Sequence, residues 1–137
     1  MKQNKALLYL KAFRVNQWIK NSVVFIAAVF SGNLFVGQVF SQTVYAFFIF
    51  CLLSSVSYVL NDIIDYPYDK KHPIKKNRPI ASGKISIGEA TFIVFILSLF
   101  TLIVSLFFSI NFFFLSFAFL LLHLFYSLYL KRFPVID

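Results

Sequence analysis

All thirteen lysines and arginines of this chain fall in three windows, residues 2–20, 70–84 and 131–132. The stretches between these windows are long, apolar and almost free of charge. That distribution constrains the fold more than any motif does. A chain of 137 residues that is 60% hydrophobic and 20% aromatic cannot bury so much apolar surface in one soluble core. The direct consequence is an all-α integral membrane protein. Basic windows separated by uncharged spans follow the positive-inside pattern, which keeps lysine and arginine on the cytoplasmic face. The net charge of +8 therefore has a membrane explanation, and no nucleic acid partner is expected.

Four transmembrane helices are predicted, at about 19–36, 43–60, 90–108 and 112–130. Each is long enough for a hydrocarbon core of about 30 Å. Residues 2–20 mix lysine with Leu7, Leu8, Leu10, Phe13 and Trp18, the pattern of an N-terminal interfacial helix leading into the bilayer. Lys5, Lys11, Arg14 and Lys20 interrupt this region, so a cleavable signal peptide is not expected. Four crossings place both termini and the polar loop 61–88 on the cytoplasmic side of a bacterial-type plasma membrane. Residues 1–137 read as one membrane domain. No polar stripe is evident down the spans, which argues against a channel. The lone Cys51 excludes an internal disulfide.

The chemistry concentrates where the second span meets the loop. Asn61-Asp62-Ile63-Ile64-Asp65-Tyr66-Pro67-Tyr68-Asp69 carries three of the five acidic residues at i, i+3 and i+7. At helical spacing these carboxylates fall within roughly 60° of one face, although Pro67 can end or kink a helix there. Carboxylates at a membrane boundary are costly unless solvated, paired or metal-bound. Mg²⁺ takes hard oxygen ligands, often one or two carboxylates plus substrate phosphates. Asp62, Asp65 and Asp69 are therefore candidate metal ligands and catalytic residues, with Asn61 beside them as a substrate contact. The alternative is a solvated loop that balances nearby lysines.

The basic run 70–78 follows at once. Taken alone it is a cytoplasmic loop or an anionic-lipid contact. Beside the carboxylates it becomes a phosphate receptor, with Arg78 offering a bidentate fork and Lys75 a point charge. Lys20, at the mouth of the first span, points inward to phosphate or snorkels to the interface. Tyr126 and Lys131, at the end of the fourth span, read as an aromatic belt with a basic flank or as substrate contacts. His123, inside that span, serves helix packing or function.

Asn61-Asp62-x-x-Asp65-x-x-x-Asp69 resembles the first aspartate-rich motif of the UbiA-type membrane prenyltransferases. Gln17-Trp18-Ile19-Lys20-Asn21, His72-Pro73 with Lys75-Lys76-Asn77-Arg78-Pro79, and Tyr126-Ser127 with Lys131 are similar to the decaprenyl-phosphate phosphoribosyltransferase branch. The resemblance runs from about Arg14 onward. It implies a helical bundle around a cavity open to lipid, and a Mg²⁺-dependent reaction. In the branch, a polyprenyl phosphate attacks the anomeric carbon of phosphoribosyl pyrophosphate and pyrophosphate leaves. In the wider superfamily a prenyl diphosphate is the electrophile, and an aromatic or other acceptor attacks it. The resemblance assigns Asp62, Asp65 and Asp69 to Mg²⁺ and pyrophosphate, and Lys20, Lys75 and Arg78 to phosphates.

The chain ends after four predicted spans, whereas the family resemblance implies about twice the length and a second aspartate-rich motif. It is thus expected to be the N-terminal half, either lacking its C-terminal half or pairing as a homodimer. A non-catalytic membrane assembly or lipid-binding protein is the competing class. Under that reading the carboxylates do not matter for Mg²⁺ affinity.

Overall fold

Among the described residues three α-helices are long and apolar enough to cross a bilayer, and each grows from one of the predicted spans. The computed structural model describes residues 3–132, and every regular element in that range is helical. In chain order these are α1 (Lys5–Ala12), a 3₁₀ segment (Val15–Ser22), α2 (Val23–Phe30), α3 (Gly37–Ile64) and α4 (Tyr66–Asp69). A 3₁₀ turn (Lys75–Asn77), α5 (Ile87–Phe108), α6 (Ile110–Leu128) and a closing 3₁₀ turn (Leu130–Arg132) follow.

The spanning helices start where side chains cap them. Ser86 Oγ accepts the Glu89 N–H at 3.1 Å and starts α5 three residues before the predicted position. Ser109, in extended backbone, ends α5 and caps α6 by accepting the Phe112 N–H at 3.0 Å. That one residue makes the tight reversal between the two helices. The 28-residue α3 outruns the predicted 43–60 at both ends. Nothing in Gly37-Gln38 or Ser41-Gln42 breaks it, and the Ser41 and Thr43 hydroxyls donate to the Gln38 and Val39 carbonyls. At the other end Pro67 has no N–H to offer the Ile63 carbonyl, so α3 stops at Ile64 and a new turn, α4, begins.

The predicted first span, 19–36, differs most from expectation. Residues 15–22 wind as a 3₁₀ helix, and α2 has only eight residues. Asn16, Asn21 and Ser22 are weak helix formers whose side chains compete for backbone groups. Asn21, with Trp18, also faces partners on α3. The Trp18 Nε1 donates to Ser55 Oγ at 2.9 Å and the Asn21 amide to Ser54 Oγ at 3.2 Å. Gly32, at φ 72°, closes α2 with a left-handed residue that a side chain would strain. The pair runs antiparallel beside α3, with Trp18 at Ser55, Asn21 at Ser54 and the Phe25 ring 5.5 Å from that of Phe47.

Helix α1 does not float free at the interface. Leu8 and Ala12 are buried against Val59 of α3, Ile80 and Ile85 of the basic loop, and Ala90 of α5. Leu7 and Leu10 face outward. Glu89 pins the arrangement by accepting from Lys5 at 3.2 Å and from the Tyr9 hydroxyl. Those hydrogen bonds raise the Lys5 and Tyr9 pKa values above their ordinary ranges. The loop after α3 is thereby folded back over the ends of α3 and α5. Deeper in the bundle, Ser105 and Ser116 join α5 to α6 at 3.0 Å, and Tyr45 donates to the Val104 carbonyl at 2.8 Å.

Candidate active site

The break at Pro67 decides how the carboxylates point. Asp62 is still helical and Asp65 is the cap residue of α3, while Asp69 closes α4. The three therefore do not share one helical face. Asp62 and Asp69 are buried and turn toward Arg78, whose Nη1 donates to Asp62 Oδ1 at 3.1 Å and to Asp69 Oδ2 at 2.9 Å. Asp65 turns the other way, where it accepts from Lys131 and from the Asn61 amide at 3.1 Å. Lys131 also donates to Asn61 Oδ1 at 2.9 Å, and the Ser127 hydroxyl does so at 3.2 Å. The end of α6 is thus latched onto the end of α3 through a charged group and an amide.

The structure gathers the site residues into two adjacent sets at the end of α3, Asp62 and Asp69 with Arg78, and Asn61 and Asp65 with Lys131. Lys75 and Tyr126 stand around them, lining a cavity of about 510 Å³ with Asp65, Asp69, Lys131 and Arg132. Lys20 is not brought in: it is exposed on the 3₁₀ segment and makes no ion pair among the described residues. His72 is used locally, its Nδ1 accepting the Ile74 and Lys75 N–H groups at 3.1 Å each.

Among the described residues no three of Asp, Glu, His and Cys converge on one point, because Asp65 diverges from Asp62 and Asp69. The donor set nonetheless fits Mg²⁺ in kind. Asp62 Oδ2 and Asp69 Oδ1 accept nothing from the described residues, and both are hard oxygens beside cations suited to phosphate.

Arg14 is the residue that sequence reasoning missed. It is the one non-glycine residue with positive φ among those described, at 50°, and it links α1 to the 3₁₀ segment. That bend carries its guanidinium to Asp62 Oδ1 at 2.9 Å and over the Tyr58 ring at 4.6 Å from the centroid. Asp62 is therefore shared by two arginines from distant segments. The expectation of no polar stripe also needs correction. Ser54, Ser57, Tyr58 and Asn61 line one cleft from α3, at i, i+3, i+4 and i+7. Phe119, His123, Tyr126 and Ser127 of α6 face them, and Arg14 closes the cleft, whose volume is about 390 Å³. The stripe was readable at helical spacing, but its serines pass for ordinary membrane-helix residues.

The chain is 34% identical over 132 residues to a decaprenyl-phosphate phosphoribosyltransferase of Mycolicibacterium smegmatis, covering 93% of this chain and 42% of the relative. It is 36% identical over 81 residues to the nodulation protein NoeC of Azorhizobium caulinodans, covering 58% of this chain and 26% of that protein. A solved structure reported for digeranylgeranylglyceryl phosphate synthase in membranes superposes with a TM-score of 0.78 at 28% identity, covering 96% of this chain and 47% of that one. The chain thus spans less than half the length of the proteins it matches. Residues 21–137, which include the aspartate run, the basic loop and the α6 latch, match the UbiA prenyltransferase family, and the chain belongs to it.

Proposed function

We propose that this chain forms the first half of a Mg²⁺-dependent membrane transferase that moves phosphoribosyl from phosphoribosyl pyrophosphate to a polyprenyl phosphate such as decaprenyl phosphate. The observation that carries the reading is the end of α3, where Asp65, Asp69, Lys75 and Lys131 line one cavity and Arg78 bridges Asp69 to Asp62. Such a site suits a ligand that brings both phosphate oxygens and a bound cation. The mycobacterial relative bears the name of this activity.

In the reaction, an oxygen of the lipid phosphate forms a bond to the anomeric carbon. The bond from that carbon to pyrophosphate breaks, and pyrophosphate departs with the electron pair. A phosphate dianion needs no general base for this attack, so the site's task is to hold charge. Asp62, Asp65 and Asp69 would hold Mg²⁺, Asp65 after turning from Lys131 toward the other two, and the ion would supply neutralisation of the departing pyrophosphate. Lys75, Arg78 and Lys131 bind phosphate oxygens, and Asn61 and Tyr126 orient the sugar end. Lys20 has a weaker claim, because it lies away from both sets.

The 3₁₀ segment and α2 supply a fourth crossing: eight residues at ~2.0 Å and eight at ~1.5 Å give roughly 28 Å, about the hydrocarbon thickness. Both termini and the 61–88 loop then face the cytoplasm, as the basic windows require. The remaining ligands come from a second bundle half, provided by a further segment or by a second copy. Intersubunit cross-linking in detergent distinguishes the two.

The likeness to a structure reported for digeranylgeranylglyceryl phosphate synthase keeps a second reading, that of the wider superfamily, in which a prenyl diphosphate is the donor and an aromatic or other acceptor attacks it. The test is turnover in liposomes with Mg²⁺ and either labelled phosphoribosyl pyrophosphate with polyprenyl phosphate or labelled geranylgeranyl diphosphate with an aromatic acceptor. The first reading expects labelled lipid from phosphoribosyl pyrophosphate only, lost in Asp65→Asn. Product from the diphosphate alone supports the second. Absence of both products and of Mg²⁺-dependent donor binding leaves a non-catalytic membrane protein.

A further inference from the structure

The latch between α3 and α6 separates two spaces. Tyr126 and Ser127 line both. On one side lies the cavity with Asp65, Asp69, Lys75 and Lys131. On the other lies the cleft that runs down α3 and α6, and Arg14 is its one lysine or arginine. Arg14 has donors to spare: of its five N–H groups only one on Nη2 reaches an acceptor among the described residues. The Tyr58 ring and Asp62 hold the guanidinium in place, so little freedom is left to lose on binding. His123 lines the same cleft, packed 4.4 Å from the Phe119 ring, and makes no hydrogen bond among the described residues. An ionisable side chain left without a partner within a membrane span is a functional group by default. Arg14 also lines a groove with Leu7, Leu10 and Lys11 on the outward side of α1, so it faces both the membrane interface and the cleft.

We propose that this cleft is the headgroup site for the lipid acceptor, with Arg14 and His123 receiving the phosphate of a polyprenyl phosphate on the opposite side of the latch from the donor's pyrophosphate. The inference rests on the transferase reading above and deepens it by separating the two substrates. Its basis is chemical. A phosphate dianion within a membrane span requires a cation and further donors, and Arg14, His123 and the serines of α3 provide them. Phe119 and Tyr58 offer apolar walls to the first isoprene units.

The experiment is binding by purified full chain in detergent, read by titration calorimetry. The probes are farnesyl phosphate, farnesol, inorganic phosphate, and phosphoribosyl pyrophosphate with Mg²⁺. Farnesyl phosphate is expected to bind more tightly than farnesol or inorganic phosphate. Arg14→Gln weakens it at least about tenfold and His123→Gln about threefold or more. His123→Gln leaves the donor within about twofold of its original affinity, and since His123 makes no contact with the carboxylates, this holds even where Arg14→Gln disturbs Asp62.

Farnesyl phosphate binding that matches farnesol, or that His123→Gln leaves unchanged, overturns the proposal while the donor reading stands. Binding that matches inorganic phosphate assigns the site to free phosphate and also overturns it. Farnesyl phosphate binding without donor binding keeps the lipid site and removes the phosphoribosyl transfer reading.

Discussion

Replacing Arg78 by methionine tests whether the carboxylate network stabilises the fold as well as serving a ligand. Arg78 is the shared partner of Asp62 and Asp69, at 3.1 and 2.9 Å, and both carboxylate side chains are under 5% exposed. At an effective dielectric of about 20, a charge pair near 3 Å gains roughly 5 kcal/mol, most of which desolvation offsets. Asp62 retains Arg14 after the change, but Asp69 keeps no ion-pair partner among the described residues. The arginine is itself 28% exposed, which discounts the loss further. The expected cost is about 2–3 kcal/mol, within the range for a buried charged group that loses its hydrogen bond.

The assay is reversible SDS-titration unfolding in detergent, followed by the fluorescence of the single Trp18. Adding Asp69→Asn should recover more than half of the loss, because the burden is the unpaired carboxylate and not the missing arginine. A single-variant cost below about 0.5 kcal/mol, or no recovery in the double variant, refutes the claim that these groups are electrostatically buried.

Three further outcomes are expected. Ser105→Leu forces a large side chain into a fully buried contact with Ser116 and should cost about 2 kcal/mol or more in the same unfolding assay, whereas Ser105→Ala should cost only about 0.6 kcal/mol. Gly83→Ala places a side chain at φ 77° and should destabilise by about 1 kcal/mol, read as a lower denaturation midpoint with unchanged helix content. Lys131→Ala opens the latch by removing the donor to Asn61 and Asp65, and should weaken Mg²⁺-dependent phosphoribosyl pyrophosphate binding about tenfold, measured by calorimetry.

The three long spans were legible because uncharged apolar stretches in a chain this rich in basic residues leave few alternatives. Their ends were less legible for local reasons. The Ser86-x-x-Glu89 pattern announces a helix start, but only the serine half of the capping box forms, since Glu89 turns instead to Lys5 and Tyr9. The helix type within the first span was not legible, because composition does not distinguish an α-helix from a 3₁₀ segment held by side-chain bonds to a neighbour, as Trp18 and Asn21 are held by Ser55 and Ser54.

The site divides along the same line between near and distant in sequence. Spacing alone proposed one face for Asp62, Asp65 and Asp69, and the residue that defeats it, Pro67, lies inside the run. What spacing cannot supply is which cation meets which carboxylate. Arg78 reaches Asp69 over nine positions, while Arg14 reaches Asp62 over 48 and Lys131 reaches Asp65 over 66. Those long pairings depend on α1 packing over the loop and on α6 returning beside α3, and no pattern within either window encodes them. Each basic window contributes at least one cation to a different edge of the aspartate run. The basic windows that give the positive-inside pattern therefore also supply the cations that meet the carboxylates, so a positive-inside account and a phosphate-site account of the same lysines and arginines do not compete.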